Sequence, residues 1–493
     1  MSTEIELKLE VDPADLPLVL QDPILAKRES HSGHQVTVYY DTPETALKKH
    51  GFTLRVRSTG DAFVQTIKPI TDRVGFLSRE EIDSEVFSIR PDLTQLAAHP
   101  IHALVGDGTE LLEEKVRSDV KRTSWLIERG NGQIQVDLDL GTITANERCV
   151  DFAEVEFELR EGAPASLIVA ARRLSDQAPV RLGVLTKAER GFLLAKNQLG
   201  KVHKADRVCV RCDMNVSEAF QTIVHACLKH YRLNEPLVLR ECKAGALHQA
   251  RVAMRRLRSA FSLFRPAVED VEFQHLRSEL RWFTAQLGDA RNLDVYLERD
   301  LPEKDREKAL RKRQRAYDRV IDAMNSHKFR RLLIDIAGWT AIGAWRSSKG
   351  AHRPIESFAN RRLDRLWRSI TAFGRNLGDM DEQTRHLMRI QIKKLRYAME
   401  FFQEIHVDAR VAEKRFASAV QEMQESLGKL NDMATAKSLG ATNPEQDWLI
   451  GTLGERKYSI VAEEALRDLL RTGPFWRMSK KLVASPEIAS PGL

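Results

Sequence analysis

The chain has 493 residues, 42% of them hydrophobic and 30% charged, and a net charge of +7, which is too long for one ordinary core and points to two or three domains. The charge is divided: residues 1–200 hold 24 Lys+Arg against 32 Asp+Glu (−8), which leaves 53 basic and 38 acidic residues (+15) for a remainder that seeks a polyanion. Five scattered cysteines (Cys149, Cys209, Cys212, Cys227, Cys242) argue against a disulfide framework, Cys209 and Cys212 have no second close pair for zinc, and no apolar run is long enough to span a membrane.

Glu4-Ile5-Glu6-Leu7-Lys8 alternates charged and apolar residues, so Glu4, Glu6 and Lys8 share one strand face and Ile5, Leu7 and Leu9 the other. With a strand starting there, no secretory leader is expected. His34–Tyr40 reads as a strand running into the turn Asp41-Thr42-Pro43. Phe52–Arg57 puts Arg55 and Arg57 on one face, Ala62–Lys68 ends on Lys68, and Arg79–Asp83 offers Arg79, Glu81 and Asp83 together. Ser124–Leu140 predicts a hairpin around Gly130-Asn131-Gly132, its return strand carrying Asp137 and Asp139. Glu154, Glu156 and Glu158 line one face of a further strand, and a helix is expected near Ala163–Ser175.

Two arrangements fit these antiparallel strands. Charged faces outside would be ordinary wet sheet faces. Charged faces inside a closed barrel would surround one cavity with both signs, suited to a divalent cation held by carboxylates and phosphates held by arginine and lysine. The residues alone leave both open.

The ordered motifs resemble the CYTH superfamily, also called triphosphate tunnel metalloenzymes. After Glu4-x-Glu6-x-Lys8 come Tyr40-Asp41-Thr42-Pro43, Leu54-Arg55-Val56-Arg57, Ile67-Lys68-Pro69, Arg79-x-Glu81, and Arg122 before Trp125. Leu138-Asp139-x-Gly141-x-Ile143, Glu154-x-Glu156-x-Glu158 and Lys187-Ala188-Glu189-Arg190-Gly191 complete the series. The resemblance implies an antiparallel eight-stranded β-tunnel. In it Glu4, Glu6, Asp139, Glu156 and Glu158, with Glu154 as a further ligand, would hold one or two Mg²⁺ or Mn²⁺ ions. Lys8, Arg55, Arg57, Lys68, Arg122 and Lys187 would neutralise a triphosphate, and Arg79 and Glu81 would complete the ring. Asp83 stands where many relatives carry glutamate, and Arg117 has no assigned face.

Beyond Gly200 a polar link precedes a helical pattern that starts at Ser217 and contains an internal repeat. His248–Phe264 recurs as His386–Phe402 at an offset of 138, and Leu287-Gly288-Asp289 matches Leu427-Gly428-Lys429 at an offset of 140. In each copy one stripe is apolar: Met254, Leu257, Phe261 and Phe264, then Ile392, Leu395, Met399 and Phe402. Beside it runs a basic stripe: His248, Arg251, Arg255 and Arg258, then His386, Arg389, Lys393 and Arg396. Ordinary solvated faces intersperse Glu as ion-pair partners, and these do not. The run Arg311-Lys312-Arg313 with Arg315 and Arg319 fits a solvated helix, and Leu332–Trp345, which includes Asp335, a core helix.

This half resembles the CHAD domain, two four-helix halves associated with inorganic polyphosphate. The resemblance maps polyphosphate contacts onto His248, Arg251, Arg255, Arg256 and Arg258, and onto His386, Arg389, Lys393, Lys394 and Arg396. The expected architecture is an α+β multidomain chain: a tunnel domain at 1–200, a linker at 201–214, a helical domain at 215–484 and a disordered tail at 485–493. The expected function is a cytoplasmic, metal-dependent inorganic triphosphatase that cleaves tripolyphosphate to pyrophosphate and phosphate, with a helical domain that binds polyphosphate and associates with polyphosphate granules. The alternatives keep the tunnel but change the substrate (thiamine triphosphate, RNA 5′-triphosphate, or ATP, hydrolysed or cyclised), or make the protein a non-catalytic polyphosphate scaffold. Neither membrane nor nucleic acid is an expected partner, since the basic helices lack interleaved aromatics for stacking bases.

Overall fold

The computed structural model describes residues 2–70, 74–94, 99–105, 111–129, 132–374, 377, 380–438 and 446–477. The tail expected to be disordered and Gly130-Asn131 of the expected hairpin turn lie outside the described residues.

Eight long strands build the N-terminal part: β1 (Ser2–Glu10), β2 (Ser30–Asp41), β3 (Phe52–Thr59), β4 (Ala62–Pro69), β5 (Phe76–Val86), β6 (Glu113–Arg129), β7 (Gly132–Ala145) and β8 (Arg148–Glu161). A two-residue strand, β9 (Arg181–Leu182), adds to the edge of β1. The order is β5-β4-β3-β2-β6-β7-β8-β1-β9, every pairing is antiparallel, and β1 pairs with β5 as well as β8, which closes the eight long strands on themselves. The hairpin of β6 and β7 runs in unbroken register from Arg117↔Thr144 to Arg129↔Gly132. Glycine at 141 allows the close approach of these strands, for a Cβ there would lie 2.2 Å from the Asp119 carbonyl oxygen.

Closure decides between the two readings of the alternating strands, because the apolar faces point outward and are covered by helices. Leu7, Leu9, Val136, Leu138, Val155 and Phe157 pack under α4, here numbered after α1 (Leu16–Leu20), α2 (Ala46–Lys49) and α3 (His102–Val105). That helix, Ala165–Gln177, contributes Leu167, Ile168, Ala171 and Leu174. A second cluster joins Val38, Leu54, Val56 and Ile67 to Leu47 of α2 and Val105 of α3. A third is on the lumen side: Val116, Val120 and Ile143 alternate in step with Arg122 and Asp139 and pack against Ala188 and Leu194 of α5 (Lys187–Ala195). The rest of the interior is charged: Lys8, Asp137, Asp139 and Glu154 are buried.

The remainder is helical: α6 (Val216–Glu241), α7 (Ala244–Val268), α8 (Phe273–Leu297), α9 (Glu303–Asn325), α10 (His327–Ile342), α11 (Ile355–Thr371), α12 (Glu382–Phe402), α13 (Arg410–Ser438) and α14 (Gln446–Thr472). Caps mark several starts: Ser326 Oγ accepts from the Phe329 N–H before α10, and Asp381 Oδ1 from the Thr384 N–H before α12. The sequence repeat falls on α7 and α12, whose stripes Met254, Leu257, Phe261, Phe264 and Ile392, Leu395, Met399, Phe402 are buried as their spacing requires. The apolar run from Leu332 is the interior of α10, an extra helix beyond a four-helix pattern; Gly338 packs against Ile168 of α4, and Arg172 of α4 donates to Asp335 at 2.5 Å.

The chain packs as two compact units: Met1–Asp206 with Val224–Leu257 and Asp270–Ala344, and Arg207–Ile223 with Arg258–Glu269 and Trp345–Leu493. The first thus unites the barrel with most of helices α6 to α10. Its helices centre on Tyr231, Phe283 and Phe329, the last two stacked at 3.5 Å. In the second, Phe264 meets Phe220, Phe358 and Phe402, and Trp367 meets Phe416 and Trp476.

Candidate active site

Strand register sets the interior of the barrel. Glu6, Lys8 and Glu10 on β1 stand opposite Glu158, Glu156 and Glu154 on β8, while Asp137 and Asp139 on β7 face Glu156 and Glu154. Arg122 on β6 is the partner of Asp139, and Glu4 that of Arg79. The side chains of Glu4 and Arg79 lie outside the described residues.

The acids of β7 and β8 form one knot with three cations. Arg122 Nε and Nη2 donate to the two Asp139 oxygens at 2.6 Å each, Nη1 to Asp137 Oδ2 at 2.6 Å, and Nη2 also to Glu156 Oε2 at 2.7 Å. Lys8 Nζ lies 2.6 Å from Glu156 Oε1 and 3.3 Å from Glu154 Oε1. Lys187 Nζ reaches Asp139 Oδ2 at 2.8 Å and Glu156 Oε1 at 3.4 Å, and touches Glu154. Lys8 therefore pairs with acids of the neighbouring strand.

Lys187 comes from the first turn of α5, which is held by a capping box between Thr186 and Glu189. A Cβ at position 183 would come within 2.6 Å of Lys8 Cγ, so Gly183 lets the chain pass Lys8 on its way to that helix.

Burial alone would push these ammonium groups toward neutrality and the carboxyls toward protonation. The mutual charges outweigh it. Against burial, Asp139, Glu154 and Glu156 hold the Lys187 ammonium well above the ordinary lysine range, and Glu154 and Glu156 raise Lys8. Against burial, Lys187, Lys8 and Arg122 hold Glu156 well below the carboxylate range, and Asp139 is lowered chiefly by Lys187 and Arg122. Glu158 moves the other way: burial, Asp137, Glu6 and Glu156 raise it despite Arg160, 2.8 Å away.

The strands across the lumen are basic. Lys68 pairs with Glu81, and Arg55 Nη2 is 3.7 Å from the same carboxylate. The Arg57 guanidinium has its buried Nε without a hydrogen-bond partner, and Arg55 first, then burial and Arg122, hold it down to about 10. One cavity of about 470 Å³ runs past Glu6, Lys8, Arg55, Arg57, Lys68, Arg122, Glu156 and Lys187, and continues to Tyr39, Lys48, Phe192 and Lys229. Of the positions read from the sequence, Asp83 is exposed and Arg117 is engaged by Glu114 at 2.7 and 2.8 Å. Asp137 belongs to the knot although it was not among the expected ligands; its signal was the two-residue step to Asp139.

Residues 2–192 match the CYTH domain family and residues 222–441 the CHAD domain family. The chain joins a CYTH domain to a CHAD domain. An inorganic triphosphatase of Haemophilus influenzae is 31% identical over 205 residues, 40% of this chain and 56% of that protein, so the chain spans about half the length of the curated relative it matches. Among solved structures, the CHAD domain of the plant Ricinus communis is 25% identical (TM-score 0.46, covering 56% of this chain and 98% of that one). PptA from Streptomyces chartreusis is 17% identical (TM-score 0.35, 52% and 99%).

The CYTH family implies a divalent metal, and the acids of this barrel fit one. One oxygen each from Asp139, Glu154 and Glu156 lie within 4.8 Å of one another, and Glu154 Oε2 is buried without a hydrogen-bond partner. Opposed oxygens around a Mg²⁺ ion stand about 4.2 Å apart, so small side-chain movements suffice.

In the CHAD domain the basic stripes are on the helices expected. His248, Arg251 and Arg255 of α7 are half-buried, and burial together with Arg291, Arg255 and Arg251 lowers the His248 imidazole. Arg291, on α8, was not legible as a member of this group. Arg256 is only 1% exposed, turned to the inner side of its helix, while Arg258 is exposed. On α12, His386 is exposed, Arg389, Lys393, Lys394 and Arg396 are half-buried, and Arg396 Nε donates to Gln424 Oε1 at 2.8 Å.

Proposed function

We propose that the CYTH domain is an inorganic triphosphatase that hydrolyses tripolyphosphate to pyrophosphate and phosphate with Mg²⁺ or Mn²⁺, and that the CHAD domain binds inorganic polyphosphate. The observation that carries the enzyme reading is the division of charge across one closed lumen: three acids drawn together on β7 and β8, and mutually repelling arginines on β3 across from them. A linear triphosphate fits both halves at once. Arg55, Arg57 and Lys68 take its oxygens on the basic side. Arg122, Lys8 and Lys187 stand between the acids and the substrate, neutralising charge that spreads over the transferred phosphoryl oxygens. Asp139, Glu154 and Glu156 would hold the divalent ion, which when bound polarises phosphate oxygens and lowers the pKa of a coordinated water.

Phosphate release from tripolyphosphate with Mg²⁺ or Mn²⁺ tests this. Wild type should turn over, and Glu156→Gln and Arg57→Met should lose most of the rate; a wild-type protein inert with every divalent metal would defeat the enzyme reading. Tyr39, Phe192 and Leu193 give the cavity an apolar stretch with room for an organic group, so ATP and thiamine triphosphate belong in the same assay. For the CHAD domain the reading rests on two acid-poor basic stripes, and direct titration with long-chain polyphosphate in competition with DNA at matched salt tests it. Residues 1–200 and 215–484 are the proposed limits of the two domains, and the cytosol, on polyphosphate granules, the proposed location.

A further inference from the structure

The cavity is not lined by the CYTH domain alone. Lys229 and Leu233 of α6, the helix that follows the barrel in the chain, share its wall with Lys8, Arg55 and Arg57. One face of this helix also grips the segment that delivers Lys187. Lys229 Nζ lies 2.6 Å from Glu189 Oε1. The other oxygen of that carboxylate accepts from the Thr186 N–H at 2.9 Å and from its hydroxyl at 3.0 Å, closing the turn in which Lys187 stands. Arg232, one helical turn further on, donates from Nε to the Leu182 carbonyl at 2.7 Å and from Nη2 to Glu10 Oε2 at 2.7 Å, and pairs with Glu235. Glu235 Oε1 in turn receives Arg181 Nη1 at 2.8 Å, and Arg190 of α5 reaches Glu10 Oε1 at 3.0 Å. Spacing of three residues keeps Lys229, Arg232 and Glu235 on one side of the helix.

We infer that α6 is a working wall of the tunnel site, in which Lys229 is a positioning residue: through Glu189 and the Thr186 cap it fixes the first turn of α5 and so the place of the Lys187 ammonium. The inference rests on the tripolyphosphate reading above. Arg232 and Glu235 anchor the chain just ahead of that turn, at Leu182 and Arg181. Lys187 bridges three acids and borders the anion space, and a displacement of its helix start by a fraction of an ångström changes both its attraction for phosphate and its grip on the acids. Lys229 thus sets substrate affinity without touching the phosphate.

The experiment uses the full-length chain and reads tripolyphosphate affinity of metal-free protein by calorimetry, alongside KM, kcat and the thermal midpoint. Lys229→Met is expected to weaken tripolyphosphate binding about ten-fold and to raise KM more than it lowers kcat; Lys229→Arg restores binding. Glu189→Gln should reproduce the loss, and the double variant should be no worse than either single one, because both act through one contact. If Lys229 instead touched the substrate, Glu189→Gln would leave binding intact or tighten it, and the positioning role would be overturned. Arg240→Met removes the exposed Arg240–Asp12 pair, 2.8 Å, between the same helix and the barrel; it should stay within about two-fold of wild type, and an equal loss there would also overturn the inference, as would Lys229→Met binding like wild type. Should Lys229→Met fail to fold, Glu189→Gln and Lys229→Arg carry the test. A wild-type protein that does not bind tripolyphosphate at all defeats the tunnel reading and this inference with it; wild-type binding unchanged in Lys229→Met defeats this inference alone.

Discussion

Removing a cation from the lumen should stabilise the ligand-free protein, and Arg57 is the place to see it. Its guanidinium is held down to about 10, where an arginine ordinarily stays protonated beyond pH 12. At 1.36 kcal/mol per pKa unit, that gap corresponds to about 3 kcal/mol of unfavourable interaction carried by the folded, charged form. Solvent in the cavity screens part of it, leaving about 1–2 kcal/mol. The sign follows from linkage: a cation whose folded pKa lies below its unfolded value penalises the fold at every pH below the folded pKa, so the full penalty is present at pH 7. Arg57→Met keeps the stem and removes the charge. Calorimetry at pH 7 and low salt should show its transition about 2–6 °C above wild type. Adding tripolyphosphate should raise the wild-type transition by mass action and leave the variant's nearly unmoved. A ligand-free variant less stable than wild type, or one that gains as much from tripolyphosphate, would refute the idea that these arginines repel one another until an anion arrives.

Glu156→Gln should do the reverse, destabilising the ligand-free protein by about 3–5 kcal/mol because Lys8, Lys187 and Arg122 lose a shared buried counter-charge; chemical denaturation reads it. Since Glu156 and Asp139 both titrate below their ordinary range, the stability they contribute is present above pH 4.5 and lost as pH falls through their folded values, so Glu156→Gln should flatten the acid limb of a stability–pH profile. Gly141→Ala, which sets a Cβ 2.2 Å from a backbone oxygen, should cost about 2 kcal/mol or more by forcing β6 from β7, seen as a lower thermal midpoint. Arg255→Glu on α7 should weaken binding of long-chain polyphosphate and flatten its salt dependence while tripolyphosphate hydrolysis is unchanged; an unaltered salt slope would remove α7 from the polyanion face.

Much of the barrel was legible because a period of two needs only local residues. Glu6 and Lys8, Arg55 and Arg57, and Asp139 with Glu154 and Glu156 were already on shared faces; what the sequence withheld was whether those faces turned in or out, a choice that the pairing of β1 with β5 makes. Pairing between strands was not legible either. Arg122 gathers Asp137, Asp139 and Glu156, two strands' worth of acids, and no spacing reports that reach. Glu10 continues the face of Glu6 and Lys8 in plain view, yet its partner Arg232 is 222 residues away. In the helical half the apolar stripes were readable at three-and-four spacing, but Arg256, next to Arg255, rotates about 100° round the helix onto the inner side, so a run of basic residues is a poor guide to a basic surface.

The double pairing of β1 has a bearing on synthesis. β1 is translated before its partners, which come from β5 and from Glu154–Glu158 of β8, so it must wait for most of the barrel to be made before both edges are satisfied. Until then Ile5, Leu7 and Leu9 form a short β-prone segment with open edges, of the kind that invites intermolecular pairing. The alternating Glu4, Glu6, Lys8 and Glu10 give that nascent strand a charge at every second position, which discourages stacking with copies of itself. The residues that equip the lumen thus also act as gatekeepers of the unfinished chain.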